Sequence, residues 1–321
     1  MVAAAIPEHA RGKPIELWWQ DEARVGQQGT LTRLWAQRGS RPPAPRGPIA
    51  QISTLCRRYL AVIASDRSYL AVLAIMPIVI GLLLRAVPSP QGLAGRPGTN
   101  GDAESLLLVL IIGACFIGAA NSVRELVKER SIYARERAAG LSSGTYLFSK
   151  IIVLGVISGI QALLLVVLGL FGRQMPAHGS LLKSLPLVEI ILAIVVLSLA
   201  SMALGLLVSS IVSTSEKAMP LLVMLAIAQV ILSGGVLPLN GKIGLNQLSW
   251  IAPSRWGFAA TASTVKLNVI APPVAGLPDP VWDHKPAIWL MDMGLMVLLA
   301  LVFTLIAWRR LVGLSPGRKR R

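Results

Sequence analysis

Leu187–Ile211 reads LVEIILAIVVLSLASMALGLLVSSI, twenty-five residues whose single charge, Glu189, lies near the start. A helix needs about 20 apolar residues to cross a hydrocarbon core. This stretch supplies them with no polar face to turn toward water, so it reads as a membrane span. Five more segments qualify on either side of it: Tyr69–Val87, Ser105–Asn121, Tyr146–Phe171, Ala218–Val236 and Ala287–Trp308. The expected fold is therefore an all-α membrane protein with six transmembrane helices. Composition agrees: of 321 residues 54% are hydrophobic and only 14% charged, with a mean hydropathy of +0.65. The net charge of +16 would ordinarily suggest a nucleic acid or an anionic surface as partner. Its placement between uncharged stretches matches loops of a membrane protein and excludes a DNA-binding stripe.

The basic residues also set the orientation. With the N-terminus inside, the inner segments from residue 50 onward hold sixteen Lys and Arg, and the outer ones hold eight over longer loops. Inner loops of membrane proteins are enriched in Lys and Arg, so both termini are expected in the cytoplasm, which an even number of spans allows. No basic region followed by a short apolar run opens the chain, so no cleaved signal peptide is expected. The two cysteines, Cys56 and Cys115, are too few for a disulfide framework or a metal site, and Cys115 should pack as a small hydrophobe. Ser105–Asn121 is the shortest span and rich in Gly and Ala, which would let a neighbouring helix approach closely. Pro77 should kink the first span.

Two inner segments carry pattern. In residues 50–67, Ile52, Leu55, Tyr59 and Val62/Ile63 recur at helical spacing while Arg57, Arg58 and Asp66 fall elsewhere. That predicts an amphipathic helix on the inner surface, either a simple anchor or a helix that receives force from a cytoplasmic partner. Residues 121–140 (NSVRELVKERSIYARERAAG) mix both signs of charge, which is costly in lipid, so the segment should project into the cytoplasm. Glu125 can pair with Lys128 one turn on. Gly140 is a plausible helix stop and Ser142 or Ser143 a plausible cap for the next span. A solvated hairpin and a docking element for a soluble motor both fit.

On the outer side, residues 237–286 form a long loop that should carry structure of its own. Trp250, Trp256, Trp282 and Trp289 suit an interfacial aromatic belt. Glu189 and Asp292 are expected at the interface, and Gln161 and Gln229 between packed helices. No ionisable residue is read as lying deep in a span, which counts against a proton-coupled carrier.

From Gln51 onward the residues resemble the ABC-2 type permeases, and within them the G-subfamily-like exporters. The resemblance is carried by Asp66-Arg67-Ser68-Tyr69-Leu70, Glu129-Arg130-Ser131-Ile132-Tyr133, Arg135-Glu136-Arg137-Ala138-Ala139-Gly140-Leu141 and Ser233-Gly234-Gly235-Val236-Leu237-Pro238. Leu248-Ser249-Trp250 and Pro253-Ser254-Arg255-Trp256-Gly257 complete it. It is nearest to bacterial proteins that join forkhead-associated domains, an ATP-binding cassette and this permease in one polypeptide. The resemblance implies a homodimeric exporter in the inner (plasma) membrane, with residues 50–67 as connecting helix. It implies that Arg124, Glu125, Glu129, Arg130, Arg135 and Glu136 couple to the ATPase. It implies an outer re-entrant region that includes Pro238, Trp250, Pro253, Arg255 and Trp256. ATP and Mg would be bound by the partner ATPase; this chain is expected to bind no cofactor or metal and to hold no catalytic residue. No Gly-x-x-x-x-Gly-Lys-Ser/Thr phosphate loop occurs in the sequence, so the cassette is expected from another chain. Leu232-Ser233-Gly234-Gly235 mimics a cassette signature but is read as a helix-terminating turn.

Residues 1–49 differ. Glu16-Leu17-Trp18-Trp19-Gln20-Asp21-Glu22 and the run to Pro42 resemble IS630-type DDE transposases, in which Asp21 would be one carboxylate of a two-metal site. No counterpart of the other carboxylates is present, and so short a piece cannot bury a stable core. Asp21 is expected to be chemically idle, residues 1–49 disordered, and Arg41–Pro48 a flexible junction left by an insertion element. No nucleic-acid partner is expected.

Overall fold

The structure, a computed structural model, describes residues 15–19, 33–37, 47–138, 141–272 and 278–313. From residue 48 on, every regular element among the described residues is a helix, and six of these helices are long and apolar enough to cross a membrane. Pro48 opens α1 (Pro48–Ser65) within the first turn, where the missing N–H of proline costs no helical bond. Leu55, Tyr59 and Ile63 form its buried stripe, so the amphipathic reading holds. Asp66 ends α1 and caps α2 (Arg67–Ala86), its carboxylate accepting the Tyr69 N–H at 3.0 Å. The α2 helix runs on through Pro77.

The other spans are α3 (Asp102–Ser122), α6 (Ser143–Leu170), α7 (Pro186–Ile211), α8 (Ser215–Leu232) and α12 (Pro286–Gly313). The span that looks weakest in sequence, α3, is the central one. Most of its residues are buried, and it packs along α7. Gly118 of α3 faces the Ser198 carbonyl of α7, and Gly205 of α7 faces the Ser122 hydroxyl of α3; a Cβ at either would overlap those atoms. Small residues thus bring two backbones together, the usual substitute for hydrophobic driving force in lipid. Polar groups add cross-links. Asn121 donates to Ser158 (2.9 Å) and to Gln161 Oε1 (2.5 Å), and Gln161 donates to the Leu73 carbonyl (2.7 Å), joining α2, α3 and α6. Cys115 is buried in the apolar core, as a small hydrophobe would be.

After α8 the chain turns at Gly234, which takes φ 93°, a conformation open to glycine at little cost. The span therefore stops at Leu232, short of the expected Val236, and the signature-like residues are indeed a turn. The outer segment then builds a cap of α9 (Leu245–Ser249), α10 (Pro253–Val265) and α11 (Leu267–Ile270). Every residue of α10 is buried, and it packs against α3, α7, α8 and α12. Gln229 accepts the Ser254 N–H at 2.9 Å and holds α8 to it.

This burial corrects two expectations. Trp256, Trp282 and Trp289 do not form a belt; they are buried, and only Trp250 is exposed. The reason is that α10 enters the bundle and carries Trp256 with it, while Trp282 packs on Phe258 at 5.2 Å between ring centres. Glu189 and Asp292 are fully buried rather than interfacial. Glu189 is held by N–H groups in place of water, from Ser180 (2.9 Å), Leu181 (2.7 Å) and Leu182, and by the Thr264 hydroxyl (3.0 Å). Asp292 has no hydrogen-bond partner among the described residues.

In the leading fragment, β1 (Ile15–Trp19) and β2 (Arg33–Gln37) pair antiparallel, with Leu17 opposite Trp35. These ten residues are rich in Trp, Leu and Ile, residue types that favour a strand pair. Pro48 belongs to α1 rather than to the junction. Asp21, Arg41–Arg46 and Gly140 lie outside the described residues.

Candidate coupling site at the inner face

The charged segment after α3 folds into α4 (Glu125–Lys128) and α5 (Arg130–Ala138). It is not a freely solvated hairpin. Ser209 of α7 accepts the N–H groups of Leu126 (2.9 Å) and Val127 (3.1 Å), which are free because they open a helix. Arg130 donates to the Val212 carbonyl at 3.3 Å. Tyr133 stacks on Tyr146 at 4.7 Å and donates to Ser143 at 2.8 Å. Ser142 caps α6 by accepting the Thr145 N–H at 3.0 Å.

Lys150, two turns into α6 and 3% exposed, organises the site. Its ammonium donates to Glu129 Oε1 at 2.7 Å and to Glu125 Oε2 at 3.2 Å. It also lies 3.4 Å from the centre of the Tyr59 ring. Tyr59 donates its hydroxyl to Glu125, and Tyr146 donates to Glu129 Oε2 at 3.0 Å. At the edge, Arg58 of α1 meets Glu136 of α5 through two bonds of 2.5 and 3.2 Å. Four segments, α1, α4, α5 and α6, are thus tied through one network. Charge accounting explains why it holds: a buried ammonium is tolerable only with paired carboxylates, hydrogen bonds and a π face around it. Burial raises the Tyr59 hydroxyl well above its ordinary value, and the Glu125 charge and hydrogen bond add to it. Burial works to lower the Arg58 guanidinium, but the Glu136 hydrogen bond and charge outweigh it and hold it above its usual value.

The six inner residues singled out in the sequence divide by this geometry. Glu125, Glu129 and Glu136 turn inward as the network's anions; Glu125 takes Lys150, not Lys128, since Lys128 points outward. Arg130 is half-buried, and Arg124 and Arg135 are exposed. Lys150, Tyr59 and Tyr146 were not singled out as site residues. The signal was present: Lys150 falls inside the apolar span Tyr146–Phe171, where an ionisable residue asks for a partner. Of the outer residues, Pro253 starts α10 and Pro238 is exposed. Trp256 donates to the Trp250 carbonyl at 2.9 Å. Arg255 pairs with Asp279 at 2.5 Å, both buried. Asp279 and Asp292 are further charged groups there that sequence reasoning did not connect.

Fold and site together define a multi-pass membrane protein whose buried charge is gathered at the two ends of its helices. The chain belongs to the ABC-2 type transporter family, whose model matches residues 50–265, from α1 through α10. It is 38% identical over 272 residues to the "ABC transporter ATP-binding/permease protein Rv1747" of Mycobacterium tuberculosis, a match covering 83% of this chain. The chain spans only 31% of that relative's length. It is the membrane component of a transporter.

Proposed function

We propose that this chain is the permease of an ATP-driven exporter in the plasma membrane, working as a homodimer with an ATP-binding cassette supplied by another chain. The observation that carries this reading is the Lys150 network. It makes α1, α4, α5 and the start of α6 one block, so a push on the hairpin moves a span rather than bending a loop. Arg124, Lys128 and Arg135 stand exposed on that block, a basic edge suited to an acidic surface on a motor domain. The M. tuberculosis relative is named for both ATP-binding and permease parts, and this sequence contains no phosphate loop. ATP and Mg belong to the cassette in this reading.

The leading fragment favours a second reading. Its likeness to a transposase piece suits an exporter gene broken by an insertion element, leaving a permease that inserts but does not transport. Extraction of the tagged protein in a mild detergent separates the two. A stoichiometric cassette ATPase whose hydrolysis drops when this chain is removed supports the exporter. A stable permease dimer without ATPase supports the remnant. Charge reversal at Glu129 should uncouple hydrolysis while leaving insertion intact; unchanged ATP-dependent transport in Glu129→Lys would remove that residue from the coupling role.

A further inference from the structure

We propose that the Lys150 end of the bundle holds one anionic phospholipid, with an acyl chain in a groove between α6 and α12 and its phosphate against Arg309 and Arg310. The proposal stands apart from the transport reading. Both helices pack on α7 and leave a groove of about 350 Å³ between their faces. It is lined by Gly144, Phe148 and Ile151 of α6 and by Leu301, Leu305 and Trp308 of α12. Spacings of four and then three keep each set on one helical face. Each set runs about 10 Å along its helix at 1.5 Å per residue, and no charged residue lines the groove. Gly144 keeps the basic end open: a Cβ there would meet only the Trp308 indole nitrogen, at 3.6 Å. Phe148, Leu301, Leu305 and Trp308 are all exposed, so the groove opens sideways to the bilayer and can take a chain from it.

The charge at the mouth chooses the head group. Arg309 and Arg310 follow Trp308 directly, both are exposed, and neither forms an ion pair among the described residues. Side chains of that length can swing toward a phosphate at the mouth. No acidic residue follows Asp292 in the sequence, while residues 309–321 carry six Lys and Arg. A basic cluster of that size just past a span attracts anionic lipid, and an exposed Trp at the same level suits the lipid–water interface. A groove for the chain and unanswered cations at its mouth are separate observations, and one anionic phospholipid answers both. A second copy of this chain fits less well, because a two-fold contact along this groove would set two basic ends side by side. A soluble anion would leave the groove empty.

The test uses the full chain, purified in mild detergent and stripped of lipid. Native mass spectrometry then follows the retention of phosphatidylglycerol and phosphatidylcholine with identical chains. The expected result is one phosphatidylglycerol held at collision energies that strip phosphatidylcholine, and not displaced by glycerol 3-phosphate. Arg309→Gln and Arg310→Gln should each lower its affinity about fivefold. Gly144→Leu fills the groove from an exposed helical position, where leucine favours the helix over glycine, so it should release the lipid while the unfolding midpoint holds. Equal retention of the two lipids or displacement by glycerol 3-phosphate would overturn the proposal. So would undiminished phosphatidylglycerol in Gly144→Leu or in the double arginine variant. A fall from dimer to monomer in Gly144→Leu would mean that a second copy covers the groove, and would overturn it too.

Discussion

At the inner end of the bundle Lys150 meets two carboxylates and a tyrosine ring, whereas at the outer end Arg255 meets one carboxylate and Asp292 meets none. Both ends bury charge, and the difference lies in how completely it is answered. A satisfied polar network fixes one arrangement of the elements it joins. The inner end joins four segments this way and is suited to transmit movement as a body. The outer end keeps donors and acceptors without partners in a low-dielectric place, where each weakens that end instead of fixing it.

The largest expected effect breaks the inner half of that comparison. Lys150→Met leaves the buried Glu125 and the half-buried Glu129 without their cation, and removing one partner of a buried pair costs about 3–5 kcal/mol. Thermal unfolding in detergent should show a large drop, and adding Glu125→Gln should recover part of it. An unchanged midpoint would mean that the network does not hold the block together. Gly118→Ala comes next: its methyl meets the α7 backbone, which cannot give way as a side chain does, so about 1–3 kcal/mol should be lost.

A smaller effect is expected from pH. The Tyr59 hydroxyl is raised in the folded protein, while in the unfolded chain it returns to about 10. Its contribution is therefore complete below about pH 10 and lost as the pH rises beyond it. The unfolding midpoint should stay flat from neutral to mildly alkaline pH and then fall, and Tyr59→Phe should lessen the fall. The smallest effect sharpens the contrast from the outer side. Asp292→Asn replaces a buried carboxyl that has no partner with a nearly isosteric amide, so stability should be unchanged or slightly raised. A loss like that of Lys150→Met would show that Asp292 has a partner of its own.

The six spans were legible because lipid demands long uncharged helices, and that demand is written in the local sequence from Leu187–Ile211 outward. The cap at Ser142 was legible for the same local reason, whereas the cap at Asp66 was not read from the sequence. The inner site was half legible. Glu125, Glu129 and Glu136 stood out as charges in a loop, but their partners Arg58, Tyr59 and Lys150 come from elements 78, 66 and 25 positions away, and pairing at that range depends on packing. The outer cap misled because Trp and acidic residues near helix ends suit an interface equally well. Only the burial of α10, a tertiary fact, decides that Trp256, Glu189 and Asp292 lie inside.

The central claim is that the inner block docks an ATPase and drives the spans. Its most direct test reverses the exposed edge, Arg124→Glu with Arg135→Glu, and measures ATPase activity and cassette content in the extracted complex. Exposed positions outside the network should leave the unfolding midpoint within about 0.5 kcal/mol of the parent. The account predicts a folded permease that no longer retains or stimulates the cassette. A folded double variant that keeps the full cassette content and full stimulated hydrolysis would contradict it.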